Sequence, residues 1–190
     1  PRVSLRTGKI VGVEALLRWL HPERGMLMPG DFISAARHSG LIVPMGYWAM
    51  NRLCSYILQM NEKGIAPLRI SMNVSHEQFV APKFVSTIES ILNSMNVSGE
   101  RFEFELAETE LVDNLASITH EMQLLEKLGI RFALDDFGTG FSSLPQLQQL
   151  PITSLKLDSS HVQQVTENDD SANVVRAMIY LAHGLELKVV

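Results

Sequence analysis

The stretch from Ile130 to Ser143, IRFALDDFGTGFSS, joins an apolar run to two adjacent acids and then to a glycine loop. Ile130, Phe132, Ala133 and Leu134 read as a strand of the kind buried in a core, and Asp135 and Asp136 close it. Two carboxylates at the tip of a buried strand are costly unless something positive meets them. A divalent cation is the obvious partner. The plain alternative is that Asp135 ends the strand, Asp136 caps a turn, and Gly138 and Gly140 supply positive φ.

Working outward, Leu115, Ile118, Met122, Leu125 and Leu128 recur every three or four residues, so a helix leads into this strand and stops at Gly129. Before it, Phe102, Phe104 and Leu106 alternate with Glu103 and Glu105 as in a half-exposed strand, and Glu108 and Glu110 mark an acid-rich turn. Downstream, a short helix begins near Ser143 with Pro145 in its first turn, and Ile152 to Leu157 is a strand carrying Lys156. Asn168, Asp169 and Asp170 open a last helix on the face Ala172, Val175, Ile179 and Ala182, before one more strand from Leu187 to Val190.

In the N-terminal half, Pro1 to Leu5 reads as the tail of a strand. Ile10 to Leu17 is a near-continuous apolar run that suits a strand buried on both faces of a parallel sheet. Glu14 interrupts it, with Arg18 as a candidate ion partner. Pro22, Gly25, Pro29 and Gly30 mark a loop, followed by a helix from Asp31 as N-cap to Gly40. A helix over Val43 to Lys63 buries Ala49, Leu53, Ile57 and Met60, joined by Met45 and Trp48. Leu68 to Val74 is a strand with Asn73 near its end. Ser75 and Gln78 form a capping-box signature, and Phe84, Ile88, Ile91 and Leu92 line the next helix.

Strand and helix therefore alternate, which predicts an α/β fold with a parallel sheet. In such an array the strand C-termini share one face, so Glu14, Asn73, Glu105, Asp135 and Lys156 are expected to converge. Each has a plain reading alone: Asn73 stabilises a turn, Glu105 sits on a polar face, Lys156 snorkels. Together the carboxylates and the amide carbonyl make an all-oxygen ligand set suited to Mg²⁺ or Mn²⁺, and the six histidines show no HExxH spacing. Two such ions about 3.5–4 Å apart activate a water, neutralise a phosphodiester and stabilise its leaving oxygen. In that chemistry Lys156 orients or deprotonates the water and Arg18 holds a phosphate oxygen.

Composition excludes other classes. With 190 residues and 46% apolar content the chain fits one globular domain, and its single Cys54 forms no internal disulfide, as in a reducing cytoplasm. No apolar run reaches the roughly 18 residues of a membrane span, so no membrane contact is expected from this domain. A net charge of -5 with scattered Lys and Arg argues against a nucleic-acid polymer as partner. Asp136-Phe137-Gly138 suggests a kinase only until the missing Gly-rich nucleotide loop and HRD catalytic loop are noted.

The same residues carry a resemblance. Glu14-Ala15-Leu16, within Gly12 to Trp19, is similar to the signature of the EAL domain, the bacterial cyclic di-GMP phosphodiesterase module. Asn73-Val74-Ser75 resembles its NVS segment, Glu105 to Glu108 its ExTE element, Asp135 to Gly140 its DDFGTG segment continued by Phe141 to Leu144, and Lys156 to Asp158 its KID segment. The motifs fall in family order across essentially the whole chain.

The resemblance implies a TIM-like (β/α) barrel with one antiparallel strand and metal-dependent hydrolysis of cyclic di-GMP to linear pGpG. It implies Glu14, Asn73, Glu105 and Asp135 as ligands of Mg²⁺ or Mn²⁺, with Asp136 on the second ion of a two-metal site. Glu14, Asp135 and Lys156 are then the catalytic set, Lys156 contacting the water. Leu17 and Arg18 lie against the substrate, and Glu108 supports the loop after the central strand, a segment the family also uses near its homodimer interface. A cytoplasmic domain fused to sensory or GGDEF-type domains is implied too, with anchoring of the parent at the inner membrane left open. The alternative is a degenerate EAL domain that binds cyclic di-GMP or a protein partner without hydrolysis.

Departures from the family pattern qualify this. Only Pro1 stands for the family's Tyr-Gln-Pro strand, His161 stands where an aromatic is common, and the family's AEGVE segment, with its catalytic Glu, falls after Val190. A barrel of about 250 residues is typical. Residues 1–190 are therefore expected to be a domain trimmed at both ends, incomplete as a barrel and negligibly active alone. Ala107 replaces a Thr whose hydroxyl contributes one net hydrogen bond, about 0.5–1.5 kcal/mol. In a full-length domain Ala107→Thr is accordingly expected to change turnover by no more than about tenfold; a gain of many orders of magnitude would mark Ala107 as an inactivating lesion.

Overall fold

Glycine stops and apolar spacing divide the chain into short strands and helices, and the backbone gathers them into two compact units, Pro1–Phe102 and Glu103–Val190. The computed structural model describes residues 1–111, 115–139, 144–166 and 169–190.

The first unit runs β1 (Arg2–Val3), β2 (Ile10–Ala15), β3 (Trp19–His21), β4 (Gly25–Leu27), α1 (Pro29–His38), α2 (Ile42–Glu62), β5 (Arg69–Asn73), α3 (His76–Phe79) and α4 (Phe84–Met95). β1 lies antiparallel to β2, and β2 parallel to β5, with Glu14 opposite Ser71 and Ala15 opposite Met72. The antiparallel strand expected in the fold is thus β1. Its core is made by α2, which buries Met50, Cys54 and Ile57, and by α4, which buries Phe84, Ile88, Ile91 and Leu92 as their spacing predicts. Burial pushes the Cys54 thiol up to about 11, so it is an inert filler.

Several expectations fail in this unit. β2 is not buried on both faces: Ile10 and Val11 are exposed, because its N-terminal half is flanked by the short β1, with Arg2 and Val3 opposite Gly12 and Ile10. Trp48 is 59% exposed, since it lies on the side of α2 opposite the stripe through Gly46 and Met50. The expected loop around Pro22 holds a hairpin, β3 against β4, with Trp19 opposite Leu27 and His21 opposite Gly25. The turn is set by the His21 ring, whose Nδ1 accepts the N–H groups of Glu23 and Arg24, and by Gly25 at φ +71. Asp31 stands inside the first turn of α1, not at its N-cap. Its carboxylate accepts the Met28 N–H at 2.8 Å and still caps the helix start.

The second unit runs β6 (Phe102–Ala107), a 3₁₀ turn (Glu108–Leu111), α5 (Leu115–Lys127), β7 (Arg131–Phe137), α6 (Leu144–Leu147), β8 (Ser154–Leu157), α7 (Ser159–Gln163), α8 (Asp169–Gly184) and β9 (Lys188–Val189). β6, β7, β8 and β9 pair in that order and all in parallel. Ala107 faces Asp135 across β6 and β7, and Leu134 faces Leu155 across β7 and β8. Phe104 and Phe132 meet edge to face at 6.2 Å in a fully buried core with Ile118, Met122, Leu125 and Ile130.

Here the half-exposed reading of β6 is corrected. Glu103 is 4% exposed and Glu105 not at all, so the strand is buried on both faces despite its alternation. α7 was not foreseen; Asp158 caps it by accepting the Ser160 N–H at 2.9 Å. On α8 only Ala182 of the expected face is fully buried, while Ala172, Val175 and Ile179 are half-buried. Gly140, Phe141, Ser142, Ser143 and Asn168 lie outside the described residues.

Phe132 fills the centre of the second core, so Phe132→Ala is expected to cost about 3–5 kcal/mol of stability. A urea melt monitored by circular dichroism should show the midpoint falling with the slope preserved; an unchanged midpoint would contradict this core.

Candidate active site

Parallel strands present their last residues at one edge, and the polar residues singled out above occupy those ends within each unit. In the first unit Glu14 sits one residue before the end of β2 and Asn73 ends β5. The Asn73 amide Nδ2 donates to Glu14 Oε1 at 3.3 Å, which leaves the amide carbonyl as the atom for a cation. Arg18 does not pair with Glu14: its guanidinium is exposed and donates to the Leu17 carbonyl at 2.7 Å. Leu17 is half-buried beyond the strand end.

In the second unit a fully buried carboxylate has to be met by positive charge. Lys156, on β8, supplies it: its Nζ donates to Glu105 Oε2 at 2.5 Å and to Asp135 Oδ2 at 2.9 Å. The Lys156 side chain is 14% exposed, so it is a bridging cation and not a snorkelling surface lysine. Burial alone would lower its pKa, but the hydrogen bonds and charges of Glu105 and Asp135 outweigh that and hold it above the ordinary lysine value. Lys156 is therefore a proton-bearing donor at neutral pH. Glu105 and Asp135 offer ligand oxygens within 4.8 Å of one another.

The residue after this pair bends the chain. Asp136 adopts φ +53 and donates its N–H to Asp135 Oδ1 at 2.9 Å. Its own carboxyl is pushed above the usual range by partial burial and then by the charges of Asp135 and Asp158. The following loop is held from beneath by Glu108, which is 2% exposed and whose Oε2 accepts the Gly138 N–H at 3.0 Å. His161 on α7 lies 3.3 Å from the Gly138 carbonyl. The parts played by Asp158 and His161 were missed in the sequence, since nothing local in α7 points to β7.

The donors fit a hard divalent cation: carboxylates and an amide carbonyl, with no sulfur or imidazole among them. Within each unit the predicted residues come together, Glu14 with Asn73 and Glu105 with Asp135 and Lys156. Among the described residues no helix is long and apolar enough to cross a membrane.

The EAL domain model matches residues 1–190. The chain is 37% identical to the cyclic di-GMP phosphodiesterase PdeR of Escherichia coli, over all of this chain and 28% of that protein. The solved PaMucR phosphodiesterase, in complex with c-di-GMP, is similar at TM-score 0.92 and 32% identity, covering 98% of this chain and 76% of that one. The EAL enzyme Bd1971, in its cAMP- and cyclic-di-GMP-bound form, follows at TM-score 0.89 and 32% identity over 98% of this chain and 52% of that one. The chain spans between 23% and 31% of the length of the curated relatives it matches. The fold class is thus the TIM-like α/β barrel of these structures.

The Lys156 bridge has a pH signature. Its folded pKa lies above the ordinary value of 10.5, so its contribution is fully present below that pH and is lost as pH rises through the folded value. Lys156→Met, which removes the ammonium bridging Glu105 and Asp135, should cost about 3–5 kcal/mol at pH 7 in metal-free protein, with the gap to wild type closing as pH rises through the raised lysine pKa, above about pH 10.5. Denaturant midpoints across that range check it; a gap independent of pH would deny the ion pair its role.

Proposed function

The chain belongs to the EAL domain family, and from that premise we propose that the protein carrying it hydrolyses cyclic di-GMP to linear pGpG with bound Mg²⁺ or Mn²⁺. The observation that carries the reading is the Lys156 ammonium held between Glu105 and Asp135 at the ends of neighbouring parallel strands. It holds two acids side by side on adjacent strands, an arrangement that suits binding of a divalent cation. Relatives named as phosphodiesterases and solved relatives with the dinucleotide bound support the substrate.

In this proposal Glu14, Asn73, Glu105, Asp135 and Asp136 hold the ions. When bound, the ions activate a water and neutralise the phosphodiester for in-line displacement. Lys156, protonated, orients the water by donation and offsets charge on the acids. Leu17 and Arg18 contact the dinucleotide; the Arg18 guanidinium, resting on a backbone carbonyl, can be released to a phosphate oxygen at small cost. Glu108 holds the Gly138 backbone and so fixes the loop after Asp135 and Asp136. Hydrolysis is favoured over binding alone because every metal-site acid that the resemblance places within residues 1–190 is present. The parent protein is proposed to be cytoplasmic in this portion, to join the domain to sensory or GGDEF-type domains, and to work as a homodimer.

In the protein carrying this domain, Glu14→Ala is expected to lower pGpG formation by at least about 100-fold while shifting the melting temperature only a few degrees. Chromatographic quantification of pGpG decides it, and wild-type rates in the variant would remove Glu14 from the mechanism.

A further inference from the structure

Gln78 is 4% exposed and uses both ends of its amide. Its Oε1 accepts the N–H of Ser75 at 2.8 Å, and its Nε2 donates at 2.9 Å to the carbonyl of Ile42, in the first turn of α2. The space it occupies exists because residue 46 is glycine. A Cβ there would lie 1.9 Å from Gln78 Nε2 and 3.0 Å from its Cδ. Glycine inside a 21-residue helix costs stability, so a packing reason is called for, and this notch is one.

The sequence reads Ser75 and Gln78 as a cap for α3, yet that helix is a single turn of four residues with little stability of its own. The chain that the amide ties down lies upstream. Ser75 is two residues beyond Asn73, and Val74 between them is 3% exposed and locked in the core. Pairing of β5 with β2 fixes the chain before Asn73, and Gln78 fixes it after, against the long α2.

We propose that Gln78, seated in the Gly46 notch, is a positioning residue that holds Asn73 at the angle from which its carbonyl reaches a divalent cation. The inference rests on the reading of Asn73 as a metal donor. Losing the bond that fixes the backbone beside a ligand should weaken binding by about 2- to 12-fold, the equivalent of one net hydrogen bond.

The test is Mn²⁺ titration by calorimetry of the protein that carries this domain, with Glu14→Ala protein subtracting any sites elsewhere in a longer chain. Gln78→Met keeps the volume and removes both hydrogen bonds; it should weaken Mn²⁺ binding about 2- to 12-fold. Gln78→Glu, which keeps an acceptor for the Ser75 N–H but loses the donor to the Ile42 carbonyl, should recover no more than part of that loss. Added to Asn73→Ala, Gln78→Met should weaken binding no further, since it acts through Asn73. Wild-type affinity in Gln78→Met, or a full extra loss in the double variant, overturns the proposal and leaves Gln78 a structural cap. Should Gln78→Met fail to fold, Gly46→Ala disturbs the same joint from the α2 side; the same weakening supports the proposal and wild-type affinity overturns it. If Asn73→Ala itself binds Mn²⁺ as wild type does, the metal-donor reading has failed and this inference with it. If Asn73→Ala is weakened and Gln78→Met is not, only the positioning role is lost.

Discussion

The second unit depends on one constraint: Glu105 has no access to water, so its charge has to be met inside the protein. Lys156 meets it, and to do so β8 must lie where a side chain from its middle reaches both β6 and β7. The apolar faces of these strands would tolerate other alignments; an ammonium bridging two carboxylates tolerates few. The strand order β6, β7, β8 is in this sense specified by a polar contact, and the register Ala107 to Asp135 accords with it. The same contact has a chemical consequence. The Lys156 ammonium already occupies one oxygen of each carboxylate, so a cation arriving there meets the remaining oxygens or competes with the ammonium.

Asp136 shows the opposite balance. Burial and the neighbouring acids raise its pKa, and the charge of Lys156 lowers it without prevailing. Among the described residues it is also one of four non-glycine positions with positive φ, a backbone state that Asp tolerates better than most. A positive charge beside the Asp136 carboxyl would offset the repulsion from its acidic neighbours. Two adjacent aspartates thus do unlike work: Asp135 is already compensated, and Asp136 is not.

How much of this the sequence shows depends on the range of the interaction. α5 and β7 are legible because their burial patterns repeat within the element. β6 misleads because alternation signals a wet face only if the intervening acids reach water, and the partner that keeps Glu105 buried lies 51 residues away. No periodicity carries that information. β2 errs in the other sense: its run of apolar residues is a statement about propensity, while exposure of Ile10 and Val11 depends on how little chain lies beside them. The β3–β4 hairpin and α7 are too short for any period, and their signals were single side chains, His21 and Asp158, whose capping geometry is visible only in coordinates. The site acids were readable because strand ends in a parallel array are predictable; Gln78 was read only as a local cap because its second bond spans 36 residues.

The segment Asp135 to Thr139 then resolves into distinct physical tasks. Asp135 carries charge to Lys156. Gly138 is required by its φ of +100, strained for other residues, and a Cβ there would also displace the ends of Met178 and His161, 2.5 Å from Cε and 2.8 Å from Nε2. Thr139 closes the turn by returning its hydroxyl to the Asp136 carbonyl at 2.8 Å. Glu108 holds the Gly138 N–H from the other side. The bend that sets Asp136 at its unusual φ is therefore anchored by contacts to the 3₁₀ turn and to α7. None of these contacts involves the side chain of an acid assigned to the metal. The direction of Asp136 relative to Asp135 is thus set largely by backbone contacts, with the Asp136 N–H donated to Asp135 Oδ1 as the one side-chain contribution from the pair. A change at Gly138 or Glu108 should thus act on the acids through the backbone, leaving their chemistry intact and their direction wrong.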